Sequence, residues 1–291
     1  MVTPAIVTLL MHKESESSSP MVEQFYELLQ FAFFQRALGV GVLLAILAGL
    51  VGVFSTVRKS SFFGDAIAHS ALAGVALGLF FEVNPLLTAS VYAVLLAVAL
   101  PWLKKNTGFS FDSLLALFLP VSMGAGVIIF SALPGYQPNL LSFLFGNMLA
   151  ITNQDMYFLL LIVALVLGTG VFFFRQFLLV SLDEDQARLL GIRVSILEFV
   201  YHFILALTVV AGVRLVGVVL VNAFLIIPPL IVGIHVRSLK HLFIFTPVIS
   251  LVTVLGGMIA SVALNAPTGA SIAVFAGALF VISLLVKKGT E

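Results

Sequence analysis

Nine long apolar runs, separated by short gaps that hold nearly all of the charge, constrain this chain more than any other feature. Candidate spans fall near 37–57, 62–81, 86–103, 113–133, 156–179, 196–212, 215–235, 242–264 and 270–286. A hydrocarbon layer about 30 Å thick is crossed by about 20 apolar residues of helix. Every backbone amide inside that layer must find its partner within protein, so runs of this length are read as helices. The composition agrees, with 61% apolar and 9% charged residues against about 45–50% and 25% in soluble domains. The expected fold class is an all-α integral membrane protein, a polytopic bundle of about eight to nine transmembrane helices. With 291 residues, little chain is left for a soluble catalytic domain.

Outside the spans, residues 1–21 form a polar arm rich in Ser and Glu, and Met21 offers an alternative start. Residues 22–34 mix Glu23, Gln24, Glu27 and Gln30 with Phe25, Leu28, Leu29 and Phe31, the pattern of an interfacial amphipathic helix. Segment 140–150 is apolar but too short to cross, and reads as a re-entrant or surface helix. Asn84-Pro85, Leu133-Pro134-Gly135 and Asn265-Ala266-Pro267-Thr268-Gly269 supply turn chemistry between neighbouring spans. Residues 22–288 then make one transmembrane domain.

The positive-inside rule orients it. Arg58, Lys59, Lys104, Lys105, Arg175, Arg188, Arg193, Arg237, Lys240, Lys287 and Lys288 fall on one side of a nine-span chain; Lys13, Arg36 and Arg214 fall on the other. The first side is expected to be cytoplasmic. A net charge of only +1 provides no basic face for nucleic acid. The absence of cysteine removes disulfides, thiolate metal sites and thiol nucleophiles together. No lysine follows a glycine, so there is no phosphate-binding loop for nucleotide hydrolysis, and neither His-Glu-x-x-His nor Gly-x-Ser-x-Gly occurs.

Against this background Asp65 and His69 stand out, four residues apart on one face of the second span. A carboxylate in hydrocarbon costs about 2.5–3.5 kcal/mol even on the gentler insertion scale, so it needs a partner or a wet path. One carboxylate and one imidazole suit divalent Mn, Fe or Zn, and two ligands make a loose site fit for transit. Hydrogen bonding between the two, or to a neighbouring helix, is the structural alternative. The same span carries Gly64, Ala66, Ala68, Ala71, Ala73, Gly74, Ala76 and Gly78, which let backbones approach closely.

Three further features are readable. Residues 182–191 encode a short, self-capped helix: Ser181 and Glu184 have capping-box spacing, Asp183, Glu184 and Asp185 fill the first turn, and Gly191 can take the left-handed C′ position. Such a helix suits docking of a cytoplasmic partner or simple interfacial capping. Pro228 and Pro229 lie within the seventh span, where two prolines in succession should kink or break a helix. Glu198 and His202, also four apart, lie near the charged end of the sixth span as a secondary polar pair. His235 and His241 fall with the basic cluster, and His12 in the arm.

Phe33-Phe34-Gln35-Arg36-Ala37-Leu38, Gly52-Val53-Phe54, Arg58 and Gly64-Asp65-Ala66-Ile67-Ala68-His69-Ser70-Ala71-Leu72-Ala73-Gly74 resemble the opening of permease subunits of zinc/manganese/iron ABC importers. Phe145-Gly146-Asn147-Met148-Leu149-Ala150 with Asp155, then residues 183–193, Val216 to Val221 with Pro228, and Pro267-Thr268-Gly269-Ala270 continue the resemblance in order. It implies a type II importer-like permease in the cell membrane of a prokaryote, working as a homodimer with no resident cofactor. The implied partners are a cytoplasmic ATPase dimer, which hydrolyses ATP, and an extracytoplasmic metal-binding protein. It also implies that Asp65 and His69 meet the metal cation. Asp183, Ala187, Leu189, Leu190 and Gly191 would couple to the ATPase. The chain departs from the family at Pro229-Leu230-Ile231-Val232-Gly233, where smaller residues are usual, and in its polar arm.

The alternatives are a permease for metal chelates such as siderophores or corrinoids, which needs no ion ligands, and a stand-alone secondary metal-ion transporter. An intramembrane enzyme would need a second carboxylate beside Asp65, and only Glu198, near an interface, is available.

Overall fold

The computed structural model describes residues 27–133, 145–146 and 151–288. The arm at 1–21 and nearly all of segment 140–150 lie outside the described residues. The helices are α1 (Ala32–Val57), α2 (Ser61–Phe80), α3 (Pro85–Thr107), α4 (Phe111–Ser131), α5 (Asn153–Leu182), α6 (Glu184–Leu189), α7 (Val194–Val216), α8 (Val218–His235), α9 (Leu239–Leu264) and α10 (Thr268–Lys288). All but α6 are long and apolar enough to cross a membrane, and among the described residues there is no strand. The nine expected spans are therefore all present.

Side chains sort the helices into two groups. Most of α1, α2, α7 and α8 is buried, whereas α3, α4, α5, α9 and α10 present many Leu, Val, Ile and Phe side chains outward. A lipid-facing helix has no reason to hide apolar groups, so the contrast marks a central quartet in a lipid-facing shell. Small residues bring α2 close to its neighbours: Gly74 lies against Ala89 and Tyr92 of α3, and Gly126 of α4 against Ala73 of α2. The stripe of small residues in the second span thus serves close packing through this half of the helix.

Several helix ends differ from expectation, each for a local reason. The interfacial helix expected at 22–34 is helical only at 27–29 among its described residues. It breaks at Gln30 and Phe31, where Gln35 Nε2 donates to the Leu29 carbonyl at 2.8 Å, and Ala32 already begins α1. The N-terminal end of α1 is tied to α5 by Arg36 Nη1 and Asn153 Oδ1 at 3.2 Å. At the start of α5, Thr152 and Asp155 form a reciprocal capping box. Because α5 runs on through Leu182, Ser181 belongs to its last turn, and the cap of α6 is Asp183, whose carboxylate accepts from the amides of Asp185 and Gln186, each at 3.0 Å. The Ser181–Glu184 capping box does not form. Gly191, at φ +78°, takes the left-handed position as expected. Its amide bonds to Arg188 and the next to Ala187, closing a Schellman turn.

The two prolines of α8 do not break it; the helix is continuous from Val218 to His235, with both rings buried. Pro229 has no N–H to offer the Leu225 carbonyl one turn earlier. That carbonyl instead lies against Gly52 of α1, where an added Cβ would collide with it. A glycine contact thus accommodates the vacancy the proline creates in the helix ladder. Gly52→Val should lower the unfolding midpoint of the detergent-solubilised protein, by a loss of about 1–3 kcal/mol as for other overpacked cores; an unchanged midpoint would refute the close approach. Because the chain has no cysteine, single cysteines at Glu82, exposed between α2 and α3, and at Lys105, exposed in the last turn of α3, report orientation directly. In right-side-out vesicles an impermeant maleimide should label Glu82→Cys at once and Lys105→Cys only after permeabilisation.

Candidate functional site

Asp65 and His69 occupy successive turns near the start of α2, and the carboxylate Oδ1 lies 3.5 Å from His69 Nε2. Both side chains remain partly accessible, 34% for Asp65 and 26% for His69, so this pair can be approached by an ion rather than being sealed in packing. Helical spacing puts them together, as the sequence indicates. The rest of the site comes from tertiary structure. Asn222, one turn into α8, donates from Nδ2 to Asp65 Oδ1 at 2.5 Å. Beside them, a Cβ on Gly64 would approach Leu225 of α8 and Val209 of α7. Val209 and Leu225 both lie well inside their helices, which places the Asp65 carboxylate deep in the bundle.

The start of α2 is fixed by a second polar cluster. Arg58 follows α1 directly; its side chain is only 9% exposed, yet it carries a full charge. Its Nη2 lies 3.4 Å from Glu198 of α7 and 3.8 Å from Glu184 of α6, and its guanidinium sits 4.9 Å from the centre of the Tyr201 ring. The Tyr201 hydroxyl and Ser60 Oγ are 2.6 Å apart. A buried charge whose partner is removed costs several kcal/mol, so these contacts bind α1, α6 and α7 into one unit at the root of α2. A polar cleft of about 380 Å³ opens there, lined by Arg58, Lys59, Ser60, Lys104, Asp112, Glu184, Glu198 and His202 among others.

Glu198 and His202 turn to different partners. The carboxylate turns to Arg58, while His202 Nδ1 lies 2.7 Å from the Glu198 backbone carbonyl and the ring is buried among Phe63, Phe111 and Tyr201. Among the described residues no group of three or more His, Asp or Glu side chains converges in a metal-binding cluster. Pro228 and Pro229 are buried in α8, beyond Asn222. His235 Nε2 pairs with Ser283 Oγ at 2.8 Å.

In α6, Asp183 is the cap and Ala187 is fully buried, whereas Leu189 and Leu190 are 88% and 67% exposed. Two adjacent exposed leucines on a short capped helix, at the charged end of the bundle, form an apolar knob. Sequence reasoning passed over two residues. Asn222 is the one amide side chain within the seventh apolar span, a signal that was present. In the sequence Arg58 reads as a topogenic charge and as part of the family resemblance, and nothing local shows that it bridges two carboxylates more than a hundred residues away.

This geometry can be set beside known proteins. The family model described as the ABC 3 transport family matches residues 30–287. The high-affinity zinc uptake system membrane protein ZnuB of Haemophilus influenzae is 32% identical over 252 residues, 87% of this chain and 97% of that one. The manganese transport system membrane protein MntC of Halalkalibacterium halodurans is 29% identical over 89% of each chain. Among solved structures, PsaBC from Streptococcus pneumoniae in complex with Fab superposes with a TM-score of 0.80 at 30% identity, covering 90% of this chain and 95% of that chain. A match that runs from the start of α1 to the end of α10, with a zinc-uptake relative covered over nearly its whole length, places this multi-pass membrane protein in the ABC 3 transport family.

Proposed function

We propose that this chain is the permease subunit of an ATP-driven importer that moves a divalent transition-metal cation, zinc or manganese, into the cytoplasm. The observation that carries this reading is the Asp65–His69 pair at 3.5 Å on a central helix, accessible and deep within an otherwise apolar bundle. Carboxylate oxygen and imidazole nitrogen are ligands that both ions accept. The relatives named for zinc and manganese uptake support the same class. A permease for chelates would have no use for bare ion ligands in its path.

In this reading residues 22–288 act as one transport unit. The chain pairs with a second copy across a two-fold axis, and that copy's Asp65 and His69 supply the ligands that a two-donor half-site lacks. An extracytoplasmic metal-binding protein delivers the ion at the outer mouth. The ion passes Asp65 and His69 and leaves through the polar cleft beside Glu198 and Asp112. The permease hydrolyses nothing; a pair of cytoplasmic ATPase subunits seats on α6 through Leu189 and Leu190, and Asp183 and Gly191 keep that helix folded while it is pushed. Arg58, joined to Glu184 and Glu198, relays its displacement to the root of α2.

Two expectations test this. In proteoliposomes holding the complete transporter, Asp65→Ala and His69→Ala should each abolish uptake of radioactive zinc and manganese while assembly with the ATPase persists; full uptake by both would remove the site. Leu189→Asp combined with Leu190→Asp should prevent co-purification of the ATPase subunit and leave the permease inserted and folded. Retained co-purification would show that α6 is only a surface helix.

A further inference from the structure

Asn222 satisfies only half of its amide. Its Nδ2 donates to Asp65 Oδ1, while its Oδ1 is buried and has no hydrogen-bond partner among the described residues. Buried carbonyl oxygens are ordinarily paired, and an orphan is costly. A residue kept only to hold α8 against α2 would need no such unpaired lone pairs beside a carboxylate. Gly64 adds no side chain there; even a Cβ at that position would stand 3.9 Å from the oxygen. The unpaired acceptor belongs to the side chain that already touches the proposed ion ligand.

We propose that Asn222 is the third member of each half of the cation site, and that its amide presents opposite ends to the empty and the loaded site. This rests on the permease reading above. In this structure the N–H end holds Asp65 Oδ1, which His69 Nε2 also approaches at 3.5 Å. Rotating the amide by half a turn exchanges N–H for carbonyl with no change of shape. Without a cation that rotation is unfavourable, since it sets the amide oxygen against the carboxylate oxygen. A divalent ion held by Asp65 and His69 reverses the preference: it repels the N–H end and attracts the carbonyl, whose lone pairs then gain a ligand. The donor set of each half-site becomes two oxygens and one nitrogen. Carboxylate and carbonyl oxygens suit manganese, whereas imidazole suits zinc, so Asn222 weights the site toward the harder ion.

The experiment compares Asn222→Leu, Asn222→Asp and Asn222→His in the complete reconstituted transporter, with one binding protein throughout, measuring uptake from an equimolar mixture of manganese and zinc. Asn222→Leu, of similar size with no donor or acceptor, should lose about tenfold or more of the uptake rate, as for other residues that support metal ligands. Asn222→Asp, which keeps an oxygen in place, should recover part of that rate. Asn222→His should shift the ratio of ions carried toward zinc. Size-exclusion chromatography of each variant with its ATPase separates these effects from misfolding. An unaltered rate and ratio in the Leu and His variants would overturn the role of Asn222, as would an equal loss in all three that follows loss of assembled complex. If Asp65→Ala still abolishes uptake in that case, the transport reading stands without Asn222. If the unmodified transporter carries neither ion, the transport reading itself fails.

Discussion

Hydrocarbon offers no hydrogen bonds, and the rest of this structure follows from that constraint. The backbone meets it by forming helices from end to end, and where the ladder is interrupted a specific neighbour answers: Gly52 lets the carbonyl released by Pro229 lie flat against α1. Side chains meet it by pairing. Arg58 finds two carboxylates and an aromatic face, and Asp65 finds an imidazole and an amide. Asp65 and Arg58 thus mark two charged places, the mid-bundle pair and the cluster at the root of α2, while buried Ser and Thr hydroxyls are spread over the other helices. Both lie on or beside the same helix.

Much of this was legible in the chain itself. The nine spans follow from apolar length, because a helix in lipid extends until a charge or a turn stops it. Asp65 and His69 were legible because four-residue spacing is a local property of a helix. Gly191 was legible because a left-handed residue after a capped turn is also local. Other ends are decided by competition. At the start of α6, Asp183 outcompetes Ser181 because α5 continues three residues further than its apolar run suggests, and only the reach of the carboxylate settles the matter. At the start of α1, residues 32–34 join the spanning helix rather than the interfacial segment, because the chain breaks at Gln30 and Phe31 and the helix then runs on through Gln35 and Arg36.

What could not be read is long-range. Asn222 meets Asp65 across 157 residues and Arg58 meets Glu198 across 140. No periodicity encodes such pairings; the first arises where Gly64 lets α2 approach α7 and α8, the second where the long arginine side chain at the end of α1 reaches α7. Glu198 and His202 show the converse. Their spacing equals that of Asp65 and His69, but the surrounding arginine and aromatic rings direct the two side chains to different partners.

The two arms of the Arg58 cluster differ in their contact with water. Glu198, on α7, is 27% exposed, and Glu184, on α6, is 44% exposed and 3.8 Å from the guanidinium rather than 3.4 Å. Mobile ions screen an exposed pair far more than a sheltered one. Raising the ionic strength therefore loosens the tie to the short helix first and leaves the tie between the two spanning helices largely intact. Of everything joined at Arg58, α6 is the part whose grip the salt content of the surrounding solution can tune.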